Sequence, residues 1–359
     1  MKAVHDLMAQ AVRKGVFPGA VLLVAREGHT VFFEAFGHAR LMPKRTMTRD
    51  TVFDLASLTK PLATTLSLMI LVQEGRVSLD QTLGCVIPCF SGTPKQGITI
   101  SQLLSHTSGL PDYRPYYKTL TKVPLPERGE VLQSLLLGEE FICEPGKACF
   151  YSDIGFMILE RVVEAITQRP FDRFLHKSVY GPLGLKDLSF VLLDDHDRRD
   201  DRPYAATEDC PWRGRVLEGE VHDENAHALG GVAGHAGLFG TAQDVSILLL
   251  ELLETYLGKS HSTLFDHDLV RAFFKRHSDL GSYALGFDTP SRPDSSSGRH
   301  FSDQSVGHLG YTGTSFWMDL EKAVMVILLT NRLHPLRENE SIAGFRPLLH
   351  DTVMDGMGL

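Results

Sequence analysis

The chain has 359 residues, 43% of them hydrophobic and 22% charged, with a formal net charge of −8. That is ordinary globular composition, enough for one large domain or two joined ones. The acidic balance and the lack of a long basic cluster with interleaved aromatics argue against nucleic acid as a partner. No apolar run is long enough to cross a bilayer.

Residues 2–15 carry Val4, Leu7, Met8 and Val12 at helical spacing. Their first residues, Met1-Lys2-Ala3-Val4-His5-Asp6, lack the apolar core of a secretory leader. The chain as given is therefore expected in the cytoplasm, and a periplasmic location stays open if a leader has been trimmed away. Gly19–Ala25 and Thr30–Phe36, separated by Arg26-Glu27-Gly28-His29, predict a β-hairpin. A buried helix is expected from Pro61 to Glu74, ended by Gly75.

Residues 76–230 are rich in turns, with helices expected over Ile98–Ser105 and Asp153–Ala165. Arg198–Glu224 is polar and reads as a surface excursion. Thr241–Leu257 is a further apolar helix. Strands are then expected at Tyr283–Phe287, Gly307–Tyr311, Thr314–Met318 and Ala323–Leu329, with a flexible hairpin tip at Ser295–Gly298 and a last helix at Ile342–Met354. The five cysteines (Cys85, Cys89, Cys143, Cys149, Cys210) are odd in number and irregularly spaced, which predicts buried or idle thiols and no disulfide framework.

Strands near both ends and helices between them imply one sheet assembled from distant parts of the chain. The expected division is a discontinuous α/β sheet domain, 1–75 and 231–359, with a mainly helical insertion, 76–230. A cleft between the two is the expected place for a site.

Ser57-Leu58-Thr59-Lys60 carries the strongest chemical signal. On a helix, residues i and i+3 share a face, with Cβ atoms about 5–6 Å apart. A lysine amine held neutral by its surroundings can then take the proton of a serine hydroxyl, which is a poor nucleophile without a base. Tyr151-Ser152-Asp153 follows a turn at Glu144-Pro145-Gly146. A tyrosine hydroxyl relays protons when a cation such as Lys60 lowers its pKa. If it does not, Tyr151 is a core residue and Asp153 a helix cap.

His308-Leu309-Gly310 opens a strand, and Gly310 admits close approach of backbone to a ligand. The N–H of Tyr311, paired with that of Ser57, would form an oxyanion hole. His235-Ala236-Gly237 is a rival match but the poorer one, being followed by a helix. Leu104–Leu110 reads as the brace of a tight turn.

In this order, the motifs resemble the serine β-lactamase and penicillin-binding-protein superfamily, most closely its class C-like esterase and D-alanyl-D-alanine carboxypeptidase branch. Leu104–Leu110, Gly231–Asp244 and Gly310–Asp319 look like accessory segments of the same family, so the likeness covers nearly the whole chain. It implies an α+β fold of the β-lactamase/transpeptidase type: an antiparallel sheet flanked by helices, with an all-helical region inserted. It also implies roles. Ser57 is acylated, Lys60 and Tyr151 share the base and relay work, Asp153 takes the place of the family asparagine, and His308 that of the third motif's lysine or histidine.

Two departures bear on substrate. Asp153 cannot donate the amide hydrogen bond of an asparagine, but it can pair with Lys60, favour the charged amine and shift the base role to Tyr151. Leu309 has no hydroxyl where the family threonine helps bind a substrate carboxylate, and a histidine near neutral pH is only partly charged. The expectation is a serine hydrolase acting through an acyl-enzyme on small uncharged esters, amides or D-amino-acid peptides, with weak β-lactam turnover.

The alternatives are a β-lactamase or penicillin-binding carboxypeptidase, a non-hydrolytic penicillin-recognising module, and a metallohydrolase using His222, His227 and His235. The His222–His227 spacing does not match a helical i, i+4 zinc pair, and no cofactor or metal is expected. The partner is a small-molecule substrate shaped by Tyr113, Tyr116, Tyr117 and the 198–224 segment; oligomeric state is not readable from the sequence.

Overall fold

The computed structural model describes residues 1–193, 201–291 and 293–359. Strands β1 (Gly19–Arg26) and β2 (His29–Arg40) form the expected hairpin, followed by the short β3 (Arg45–Thr46) and β4 (Phe53–Asp54). Further along come the short strands β5 (Ser189–Phe190), β6 (Asp209–Cys210), β7 (Arg215–Val216) and β8 (Leu238–Gly240). The chain closes with β9 (Val306–Leu309), β10 (Ser315–Asp319) and β11 (Val324–Thr330).

The main sheet has the order β3-β2-β1-β11-β10-β9 and is antiparallel throughout. The first hairpin is thus zipped onto strands nearly 300 residues later, with Leu22 opposite Leu328. Side chains alternate between the two faces of a strand, and both faces of β1 are buried. Val21, Leu23 and Ala25 join the large core that contains Leu62, Leu66, Ile158 and Leu249. Ala20, Leu22 and Val24 pack under the terminal helices Lys2–Arg13 and Ile342–Gly356. This is the expected α+β arrangement of an antiparallel sheet flanked by helices. Among the described residues no helix is long and apolar enough to cross a membrane.

A second sheet, β4-β8-β5, positions the chemistry. It places Asp54, three residues before Ser57, against Phe239, so two chain segments some 185 residues apart lie side by side.

The structure corrects four local expectations. Tyr283–Phe287 is a turn with only an isolated bridge from Tyr283 to Asp288. Gly286 sits there at φ +80, where a Cβ would collide with Thr65 Oγ1. The Ser57 segment is not the start of a regular α-helix: a 3-10 turn (Ala56–Leu58) and a π-turn (Lys60–Thr65) precede the helix Leu66–Gln73. Ser295–Gly298 is no free hairpin tip, since Ser297 is buried and Ser296 O accepts from His350 Nδ1. The polar stretch before Glu224 is largely docked: Tyr204, Leu217 and Val221 are buried, while 198–200 lie outside the described residues.

Candidate active site

Ser57 lies at the floor of a cavity of about 810 Å³, lined also by Tyr151, Asp153, Asp223, His235 and His308. The turn that presents it is strained and braced. Ala56 has φ +48, an uncommon conformation for a residue with a Cβ. Asp54 holds it there: its carboxylate accepts from the N–H groups of Ala56 (2.8 Å) and His222 (2.6 Å). Thr312 and Thr314 donate to the carbonyls of Asp54 and Leu55, which ties the turn to the loop after β9.

Lys60 is fully buried, and its Nζ donates to Ser57 Oγ at 3.2 Å and to the His235 carbonyl at 3.0 Å. It lies 2.6 Å from Asp153 Oδ1 and 4.8 Å from the centre of the Tyr151 ring. Burial pulls the Lys60 pKa down, but Asp153 and Tyr151 outweigh it and the net shift is upward. Burial raises the Tyr151 hydroxyl; Lys60 and Ser57 pull it down and Asp153 pushes it up, again with a net rise. The resting state is therefore a charged Lys60 beside a neutral Tyr151.

The cap of the helix Asp153–Thr167 is Ser152, not Asp153. Its Oγ accepts from Gly155 N–H and donates to Pro111 O, and its N–H donates to His106 Nδ1. This leaves Asp153 free to turn into the cavity. His106, in the Leu104–Leu110 segment, sits at φ +59 and packs 4.7 Å from the Tyr151 ring, so that segment braces the Tyr151–Asp153 turn.

Gly310 lies against the Ser57 turn, where any Cβ would collide with Thr314 Oγ1 and meet Leu55 O at 2.7 Å. This brings the backbone of Tyr311 beside Ser57. Among the described residues neither the Ser57 nor the Tyr311 N–H has an acceptor, as two donors reserved for an oxyanion require. The Tyr311 side chain is half-exposed, packed under Arg332.

His308 departs from the expectation of a partly charged stand-in for the third-motif cation. Burial pulls its pKa to about 3. Its Nδ1–H donates to Leu309 O at 2.9 Å, so the ring is neutral and Nε2 carries a lone pair. That Nε2 is buried and has no partner among the described residues.

His235 and Asp223 are the residues that sequence reasoning undervalued. The segment after Gly237 is strand β8, and its pairing with β4 carries the His235 carbonyl to Lys60. His235 Nε2 bonds Asp223 Oδ1 at 2.9 Å. Burial disfavours the charged imidazole, but Asp223 outweighs it and raises the pKa. Behind this loop, Glu160 accepts from Gly234 N–H at 2.8 Å and Thr64 donates to Gly234 O. Asp153, Asp223 and His235 bring donor atoms within 4.8 Å of one another, but Lys60 Nζ already places a cation on Asp153. Tyr113 and Tyr117 line the cavity, whereas Tyr116 is buried and donates to Glu139.

A family model described as Beta-lactamase matches residues 4–349. The chain is 32% identical over 367 residues to a Bacillus subtilis (strain 168) protein named N-acetylmuramyl-L-alanine amidase, covering 93% of this chain and 81% of that one. It is 31% identical over 348 residues to a putative D-alanyl-D-alanine carboxypeptidase of Salmonella agona (strain SL483), covering 89% and 79%. Among solved structures it is similar to EstCE1, a hydrolase with promiscuous acyltransferase activity. That match has a TM-score of 0.76 and 25% identity, over 98% of this chain and 97% of that one.

Proposed function

Since the chain belongs to the Beta-lactamase family and is a serine hydrolase, we propose that it works through an acyl-enzyme on Ser57, with small esters, amides or peptides as substrates. The observation that carries this reading is Lys60 Nζ at 3.2 Å from Ser57 Oγ, beside two N–H groups without acceptors among the described residues.

The reactive form has one proton fewer on the Lys60–Tyr151 pair than the resting form. Ser57 passes its hydroxyl proton to the Tyr151 oxygen as Oγ attacks the carbonyl carbon. Negative charge gathers on the carbonyl oxygen between the Ser57 and Tyr311 N–H groups. Tyr151 then returns the proton to the leaving oxygen or nitrogen, and the acyl group stays on Ser57. Water repeats the sequence and releases the acid.

The relatives' names, an amidase and a carboxypeptidase, support amides and peptides alongside esters. A substrate carboxylate beside the reacting carbonyl, as in a penicillin, is less well supported. His308 is neutral and offers a lone pair, and Leu309 offers nothing, where a cation and a hydroxyl would be needed.

The test is intact-protein mass after brief exposure to a small activated ester. The expected result is an acyl adduct in the native chain and none in Ser57→Ala. Undiminished ester hydrolysis by Ser57→Ala would overturn the reading.

A further inference from the structure

We infer that the substrate carries a free amino group close to the carbonyl attacked by Ser57, so that the acyl half is an aminoacyl group with an unblocked amine. This rests on the acyl-enzyme reading above and narrows its substrate class.

Five acidic residues line the cavity: Asp112, Asp153, Asp223, Glu224 and Asp288. The cations that balance Asp153 and Asp223 are buried. Lys60, wholly buried, pairs with Asp153, and His235, 1% exposed, pairs with Asp223. Asp153 and Asp223 keep about a fifth of their side-chain surface open, 18% and 21%. Among the described residues, the Oδ2 atom of each accepts no hydrogen bond. Oxygens of the two carboxylates lie within 4.8 Å of each other, the span that one ammonium bridges with two N–H bonds.

One further buried atom points to an incoming donor. His308 Nε2 lines the same cavity, in a residue only 3% exposed, as a lone pair that no donor among the described residues reaches. Among the described residues, no arginine of the cavity pairs with Asp153 or Asp223. Arg337 is taken up by Glu208 and Glu224. Arg332 and Arg346 lie at the Tyr311 end and donate to the carbonyls of Tyr311, Arg337, Asn339, Gly310 and Thr314.

Position fixes the chemistry further. Asp153 is 2.6 Å from Lys60 Nζ, which is 3.2 Å from Ser57 Oγ. A cation seated on Asp153 therefore lies only a few bonds from the reacting carbonyl, as the α-amine of an aminoacyl group does. An N-acylated amine loses the charge and two of its donors, and its added carbonyl would face a carboxylate.

The test uses the native chain and three benzyl esters with one leaving group: alanine benzyl ester in both enantiomers, its N-acetyl derivative, and benzyl propionate. Release of benzyl alcohol is read by chromatography, and each kcat/KM is divided by the ester's own alkaline hydrolysis rate to remove intrinsic reactivity. The expected result is a preference of about tenfold or more for at least one free-amine enantiomer over benzyl propionate. That ratio should shrink in Asp223→Asn. Ser57-dependent hydrolysis with no amine preference overturns this inference and leaves the acyl-enzyme reading standing. No Ser57-dependent hydrolysis of any of the esters overturns both.

Discussion

Asp153 Oδ1 lies 2.6 Å from Lys60 Nζ, closer than Ser57 Oγ at 3.2 Å. The amine that the Ser-x-x-Lys spacing offers as a base is thus held in an ion pair, and both are shut away from water on the Lys60 side. Removing one partner of such a pair leaves the other buried and uncompensated, so the identity of residue 153 governs the ionisation of the whole triad Ser57–Lys60–Tyr151.

Asp153→Asn should move the ascending limb of the kcat/KM profile to lower pH. Asp153 raises the pKa of both Lys60 and Tyr151. The reactive form needs the pair to lose one proton, and two coupled groups lose it with a single macroscopic pKa. Taking away the carboxylate eases that loss. The check is the pH dependence of hydrolysis of a neutral ester by native and variant chains; an unmoved or upward-shifted limb would contradict it.

Leu309→Thr should speed acylation by benzylpenicillin by about tenfold, the worth of one hydrogen bond to a charged group. Leu309 ends β9 at the cavity wall and supplies no donor there. Stopped mass spectra give the rate directly. A variant that folds as the native chain does and acylates no faster would show that the carboxylate is refused for another reason.

Glu160→Gln should stabilise the chain at pH 8 by roughly 1–3 kcal/mol and by little at pH 5. Burial pushes the Glu160 carboxyl up to about 7, with Arg161 pulling the other way. A carboxyl whose folded pKa is raised keeps its full contribution below the unfolded value and loses it as pH climbs to the folded one. The window here runs from about 4.5 to 7. Glutamine keeps an acceptor for Gly234 N–H. Thermal unfolding of both chains at the two pH values decides the point, and an equal difference at both would refute it.

The main sheet was legible because its strands are written as apolar, β-branched runs broken by turns. The Ser57–Lys60 pair was legible because three residues along the chain fix its spacing. The Tyr283–Phe287 run looked like another such strand, yet Gly286 at φ +80 and its packing against Thr65 make it a turn. His235 was passed over because what it gives Lys60 is a backbone carbonyl, which no residue type announces. Asp54 and Glu160 reach the site through pairing and packing between segments more than 70 residues apart, and Asp223 through His235, 12 residues on. His308 lines the cavity, but its charge state depends on burial, which a strand-edge histidine does not reveal.

The brace on Asp54 has a consequence for how the protein fails. Its side chain serves the Ala56 and His222 backbones, and its carbonyl serves Thr312, so two distant stretches of chain meet on the turn that holds Ser57. On the acyl-enzyme reading proposed above, loosening either distant stretch frees the turn that presents Ser57, so activity is expected to be lost together with their docking.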